Sequence, residues 1–122
     1  MAANTMLDTG SQVIQLDSVS GLTFGKGTAT IVSQNATINA QSGTLTSPSG
    51  ARAPGNTVIW TLHNTFIVPS SVILLSMAPG TNTVYPLTVA SGAITTGSCA
   101  IYVTNNSSSS TNGTFLVNFL VL

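Results

Sequence analysis

Few side chains in this sequence could carry out chemistry, and they are scattered along the chain. The only histidine is His63, the only cysteine is Cys99, and the acidic residues are Asp8 and Asp17. A catalytic triad needs an acid that orients the histidine and a nucleophile beside it, and glycoside hydrolysis needs two carboxylates held across a sugar. Both acids lie near the N terminus, far along the chain from His63 and Cys99. The sequence therefore predicts that the protein is not an enzyme.

The same residues argue against a metal, a cofactor and a nucleic-acid partner. A metal site needs clustered histidine, cysteine or carboxylate ligands, and none are clustered here. The stretch GLTFGKGT lacks the spacing of a phosphate-binding loop, because Gly21 and Gly25 are too close and a glycine follows Lys26. Two cations, Lys26 and Arg52, cannot form a basic stripe that neutralises phosphates. We therefore expect none of these three ligand classes.

The low charge of the chain is its strongest global feature. Charged residues make up 3% of the sequence, against about 25% in typical soluble proteins, and the formal net charge is zero. A free monomer with so few charges is poorly protected against association. We expect neighbouring chains to cover most of its surface. The alternative is that its many serine, threonine and asparagine residues keep it in solution.

The sequence carries no signal for a membrane or for export. No run of about 18 apolar residues occurs, so no membrane span is predicted. The start, MAANTMLDTG, lacks the basic and apolar regions of a signal peptide. We therefore expect the protein to be made in a cytoplasm.

The elements that position these residues are predicted to be strands. Threonine, valine, isoleucine and aromatic residues fill short runs that glycine, proline and asparagine separate. About seven or eight such runs predict an all-β fold for residues 23–122, an antiparallel β-sandwich or jelly roll. Pro86 inside one run favours an edge strand. The runs are GTATIVS, NATINAQ, GTLTS, TVIWTLHN, SSVILLSM, TVYPLTVA, CAIYVTN and TFLVNFLVL, and the segment SGAITTGS leads into CAIYVTN.

Residues 1–22 differ from the rest and are predicted to form an extended N-terminal arm. They show no clean helical or strand period, although one short strand near QVIQL is expected. The alternative is a partly disordered tail. The apolar content of the arm predicts that something binds it. The residues that we expect to make those contacts are Met6, Leu7, Val13, Ile14 and Leu16.

The last run, TFLVNFLVL, is apolar on both faces. Alternation puts Leu116, Leu120 and Leu122 on one face and four other apolar residues on the opposite face. Such a strand must be central and covered on both sides, and the sequence offers no helix to cover the second side. We therefore expect a second copy to cover it. The residues assigned to the core or to an oligomer interface are Trp60, Phe115, Val117, Phe119 and Val121.

Three aromatic residues, Trp60, Tyr85 and Tyr102, could form a sugar-binding platform if they were exposed together. Each lies in a strand run with apolar neighbours. The core or a subunit interface is therefore the favoured place for them.

Several segments resemble a β-sandwich module of tailed-phage virion proteins. They are GKGTATI, SGTLTS, TVIWTLHNTFIVPSSVILLSM, SGAITTGSCAIYVTN and NGTFLVNFLVL. This module occurs in head decoration (cement) proteins and at the ends of tail or head fibres, especially in phages of cyanobacteria and marine bacteria. The resemblance covers residues from about 23 to 122 and implies a homotrimer with a structural role on the virion. It does not separate decoration proteins from fibre tips.

Together, these observations predict a capsid decoration protein on the outer surface of a phage head. It would trimerise and bridge neighbouring subunits of the major capsid protein, with the arm docked on the capsid. The alternative is a fibre or spike module that recognises a host glycan through loops such as 105–113 or 47–56. A fibre usually has a long repetitive shaft, which this sequence lacks.

Overall fold

The computed structural model describes residues 25–122 and the backbone of two short strands before them, β1 (Met6–Asp8) and β2 (Val13–Gln15). The described part of the chain is all-β and contains no helix. Strand β2 lies within QVIQL, where a strand was predicted, whereas β1 was not predicted. The other strands are β3 (Lys26–Thr30), β4 (Asn35–Thr37), β5 (Ser42–Thr46), β6 (Thr57–His63), β7 (Ile73–Pro79), β8 (Leu87–Thr95), β9 (Ser98–Asn105) and β10 (Phe115–Val121).

Eight of these strands form two four-stranded sheets, as expected of a β-sandwich. The first, called the β10 sheet, has the order β3-β5-β10-β7, and the second, called the β9 sheet, has the order β4-β6-β9-β8. Consecutive strands from β3 to β8 alternate between the two sheets. Strands β1 and β2 form a separate antiparallel ribbon.

The prediction of purely antiparallel sheets is wrong for two strand pairs. Strand β3 runs parallel to β5, and β4 runs parallel to β6, while the remaining pairs are antiparallel. Each parallel pair consists of strands separated by one strand of the opposite sheet, so the chain returns in its original direction. The alternation of apolar residues specifies that a strand has a dry face, but it carries no information about the direction of its neighbour.

The end of the run TVYPLTVA and the start of the segment SGAITTGS, which was predicted to lead into CAIYVTN, form one edge strand, β8. The strand begins at Leu87, directly after Pro86, and its pairing with β9 shifts in register between Ser91 and Ile94. A bulge of this kind bends an edge strand and discourages pairing with another chain. The edge position agrees with the prediction made from the proline.

Strand β10 is central, as its pattern predicts, because it pairs with β5 on one side and with β7 on the other. Its inner face packs against the β9 sheet, where Trp60 stacks on Phe115 with ring centroids 5.6 Å apart. All five residues that were assigned to the core or an interface are buried within this single chain. They are Trp60, Phe115, Val117, Phe119 and Val121.

A close approach of three strands depends on glycine at position 43. Gly43 pairs with Gly27 on one side and with Phe119 on the other. A Cβ atom at position 43 would lie 2.7 Å from the Gly27 carbonyl oxygen and 2.8 Å from the Phe119 ring. Both distances are shorter than real Cβ contacts, so the Phe119 ring occupies the space that a side chain at Gly43 would need.

We predict that Gly43→Ala lowers the free energy of unfolding by about 1–3 kcal/mol, because it overfills this part of the core. Gly25→Ala is the matched control, since a Cβ atom there meets nothing within 4 Å. The control should change stability by less than about 0.5 kcal/mol. Urea unfolding followed by Trp60 fluorescence measures both, and equal effects would contradict this account.

Candidate functional site

The two side chains with the most reactive chemistry, His63 and Cys99, lie in different surroundings, one exposed and one buried. His63 is exposed at the end of β6, where its Nε2 atom lies 3.1 Å from Asn35 Oδ1. Cys99 is buried on the inner face of β9, and burial raises the pKa of its thiol, which keeps the thiol protonated at neutral pH. Within the described residues, no group of three or more histidine, cysteine, aspartate or glutamate residues could hold a metal ion.

The three aromatic residues that were considered as a platform do not share one surface. Trp60 lies in the core, 2% exposed, whereas Tyr85 and Tyr102 are exposed. The Tyr102 ring covers Gly92 on the outer face of the β9 sheet, where any Cβ atom would overlap it. The structure therefore places the two tyrosines at the surface of a single copy and the tryptophan inside it.

Arg52 extends the aromatic stack to a third member. Its guanidinium carbon lies 5.2 Å from the centroid of the Phe115 ring, which in turn stacks on Trp60. Its Nη1 atom is buried and has no hydrogen-bond partner among the described residues. Burial lowers the pKa of the guanidinium, although an arginine stays charged at neutral pH. Arg52, one of the two cations of the sequence, therefore packs against a core aromatic ring.

The segments 47–56 and 105–113 are hydrogen-bonded to each other around Arg52 and Thr111. The Arg52 amide donates to Thr111 Oγ1 (2.8 Å), and the Thr111 amide donates to the Arg52 carbonyl (3.1 Å). Asn105 Nδ2 donates to the same carbonyl (2.8 Å). Thr111 and Asn105 are both buried. Segment 105–113, which the sequence suggests as a recognition loop, therefore has two side chains inside the fold.

The outer face of the β9 sheet is mostly polar. Thr57 and Thr104 lie opposite each other and their hydroxyl oxygens are 2.7 Å apart. The next row along the strands contains Ile59 and Tyr102, which are both exposed. The exposed apolar surface of this sheet is therefore a single row with hydrogen-bonded threonines beside it.

The outer face of the β10 sheet has a polar centre. Asn118 lies opposite Thr44 on β5 and Ser76 on β7. The Thr44 hydroxyl donates to Asn118 Oδ1 at 2.7 Å. Beyond this polar row, Leu116 and its β7 partner Ala78 form an apolar row.

Toward the opposite end of the same face lies a group of four aliphatic residues, here called the aliphatic corner. Leu120 pairs with Leu74, and reciprocal backbone hydrogen bonds of 2.9 Å join Val72 to Leu122. Leu74 is 50% exposed, and Val72 and Leu122 are each 55% exposed. Beside Leu74 and Leu120, the face forms an open hollow of about 190 Å³. The lining residues are Leu74, Leu75, Ser76, Asn118, Phe119 and Leu120.

The sandwich surface is almost free of charged side chains. Between residues 25 and 122, the only charged side chains are Lys26 and Arg52. Lys26 lies at the start of edge strand β3, while Arg52 packs over an internal ring. Neither outer face has a charged side chain at its centre.

Four of the five predicted capsid contacts of the arm lie in the ribbon of β1 and β2, of which the backbone is described. The backbones of β1 and β2 pair from Met6 opposite Gln15 to Asp8 opposite Val13. Leu16 and Asp17 lie outside the described part of the chain. The residues within the ribbon that were predicted to contact a capsid are Met6, Leu7, Val13 and Ile14.

Comparison with known proteins adds no relative to this picture. No family model matches the chain, and no curated protein or solved structure is significantly similar to it. Among the described residues, no helix is long and apolar enough to cross a membrane.

We predict that Arg52→Ala lowers the free energy of unfolding by about 1–2 kcal/mol, because it removes a cation and its packed stem from the Phe115 ring. Arg52→Met keeps the stem and removes the unpartnered Nη1 atom, so it should recover more than half of that loss. Urea unfolding of the two variants measures the difference. If the methionine variant were as unstable as the alanine variant, the charge over the ring would be the dominant contribution.

Proposed function

We propose that this protein is a phage capsid decoration protein, which forms a homotrimer on the outer surface of the head and bridges subunits of the major capsid protein. The observation that carries the proposal is the uncharged surface of the sandwich, on which Lys26 is the only charged side chain not packed over an internal ring. The resemblance to tailed-phage virion modules supports the same conclusion. The protein would be made in the host cytoplasm and act on the virion.

An uncharged surface of this kind favours a structural role in an assembly. Contacts between faces of aliphatic and hydroxyl side chains rely on shape and apolar burial, and they depend little on ionic strength. Many such contacts repeated over a shell add up through multivalency, even where each one is modest. A subunit with these properties can strengthen joints between capsid subunits that the pressure of packaged DNA would open.

The ribbon of β1 and β2 supports the assignment of the arm as the capsid-docking element. Among the described strands, β1 and β2 are paired only with each other. An isolated two-stranded ribbon is marginally stable in water. Docking on a capsid surface would therefore stabilise the ribbon. The sequence of the ribbon, MLD and VIQ, is largely apolar.

One observation favours a second candidate function, a fibre or spike module that binds a host glycan. The segments 47–56 and 105–113 are held together by hydrogen bonds through Arg52, Asn105 and Thr111. A rigid polar surface formed by two loops is suited to recognition. Neither segment presents an aromatic residue for stacking on a sugar, so decoration remains the preferred function.

The copy number of the protein in purified virions tests the proposal. Quantitative mass spectrometry against the major capsid protein should find on the order of hundreds of copies per particle, as a shell-wide decoration protein requires. A few copies per particle would favour the fibre module instead. Absence from the particle would overturn both virion functions.

The docking role of the arm gives a separate prediction. A variant without residues 1–22 should form the same oligomer as the full chain, because the sandwich is intact, but it should no longer bind capsids. Cosedimentation of each protein with heads that lack the decoration protein measures binding. Equal binding by the shortened and full-length chains would show that the arm is not the docking element.

A further inference from the structure

We propose that Asn112 is a deamidation site and that a clamp, formed by hydrogen bonds between the segments 81–83 and 112–114, protects it while the protein is folded. Asn112 and Gly113 form the only Asn–Gly sequence of the chain. Glycine has no Cβ atom and is conformationally permissive, so its backbone nitrogen is easily reached by the side chain of a preceding asparagine. This chemistry belongs to the chain itself and holds whether or not the protein is part of a virion.

Deamidation at Asn112 needs only the chain and water. The backbone nitrogen of Gly113 loses its proton and attacks the Cγ atom of Asn112. The new C–N bond closes a succinimide ring, and the Asn112 Nδ2 atom leaves as ammonia with the proton that balances the one lost from Gly113. Water then adds to one of the two ring carbonyl groups and opens the ring to aspartate or isoaspartate.

The clamp holds both polar atoms of the Asn112 side chain. The Thr83 amide donates to Asn112 Oδ1 (2.8 Å), and Asn112 Nδ2 donates to the Thr83 hydroxyl (2.7 Å). The Asn112 backbone amide also donates to Asn82 Oδ1 (3.0 Å). Because Nδ2 leaves as ammonia, its hydrogen bond to Thr83 must break before the succinimide is complete. The bonds to Thr83 therefore favour the unreacted side chain.

The backbone around the attacking nitrogen is fixed as well. Gly113 is buried, and a Cβ atom there would lie 2.7 Å from the Thr81 carbonyl carbon and 2.8 Å from the Asn82 backbone nitrogen. On its other side, the Thr114 amide donates to Thr81 Oγ1 (2.9 Å), and the Thr114 carbonyl accepts from the Asn82 amide (2.8 Å). Gly113 thus lies between two anchored residues, which restricts the rotation that ring closure needs. Reaction therefore requires local opening of the clamp.

Deamidation would change the charge of a chain that has almost none. The formal net charge is zero, and no acidic residue occurs between residues 25 and 122. An aspartate at position 112 is compatible with the clamp, because its carboxylate still accepts from the Thr83 amide and the Thr83 hydroxyl can turn to donate. An isoaspartate adds a backbone atom beside Gly113, where the close packing leaves no room for it. The clamp thus keeps the sandwich free of acidic side chains.

The test compares two threonine variants of the full chain. Thr83→Val removes the hydroxyl that holds Asn112 Nδ2, and Thr88→Val, the matched control, removes a hydroxyl that accepts an equivalent bond from Asn106 Nδ2 (2.7 Å). Peptide mass spectrometry after incubation at mildly alkaline pH measures the conversion of Asn112. Thr83→Val should deamidate about 3- to 10-fold faster than the wild type, as expected for one lost hydrogen bond. Thr88→Val and Thr83→Ser, which keeps the hydroxyl, should match the wild type.

A second comparison measures the whole clamp. Unfolded in urea at the same pH, the wild type should deamidate at Asn112 at least about 10-fold faster than when folded, since both side-chain hydrogen bonds are lost. The inference fails if the unfolded chain reacts no faster, if Thr83→Val matches the wild type, or if Thr88→Val reacts as fast as Thr83→Val. Circular dichroism verifies folding, and Thr83→Ala, with the same expected direction, replaces Thr83→Val if that variant unfolds.

Discussion

The fold depends on keeping the inner face of β10 dry. This strand supplies Phe115, Val117, Phe119 and Val121 to the core, and burial of each such side chain contributes roughly 1.5–3 kcal/mol. The β9 sheet covers them, with Trp60 stacked on the first ring. Because β10 also joins β5 to β7, the same strand provides both the central pairing of one sheet and the contact between the two sheets.

The outer face of β10 has only a few polar groups among its aliphatic residues. Asn118 and its neighbours Thr44 and Ser76 are the polar centre of that face. None of these three polar residues is charged. The aliphatic residues on either side of them therefore have no charged neighbour on this face that would oppose association with another chain. The scarcity of charge has its clearest consequence here, since ordinary domains separate exposed aliphatic residues with lysine and glutamate.

Much of the architecture follows from local patterns in the sequence. Alternation in TVIWTLHN and CAIYVTN defines β6 and β9, and the doubly apolar ending indicates a central β10. The two parallel pairs cannot be predicted from these local patterns. They arise because each connection crosses to the opposite sheet, and the patterns do not show which sheet the next strand joins. The position of Arg52 over Phe115 and the burial of Thr111 also depend on contacts between distant segments. Composition alone suggests a surface cation and a loose polar loop at those two positions.

The order of strands along the chain has a consequence for biosynthesis. Strand β10 follows both of its partners, and it meets β5 some 70 residues upstream, with Leu116 opposite Thr46. A nascent chain on the ribosome therefore exposes the edges of β5 and β7 until β10 emerges. Closure of such distant pairs is slow, and the unfinished sheet is open to wrong pairing with other nascent chains. The period before β10 emerges is therefore the one in which the chain is most open to aggregation.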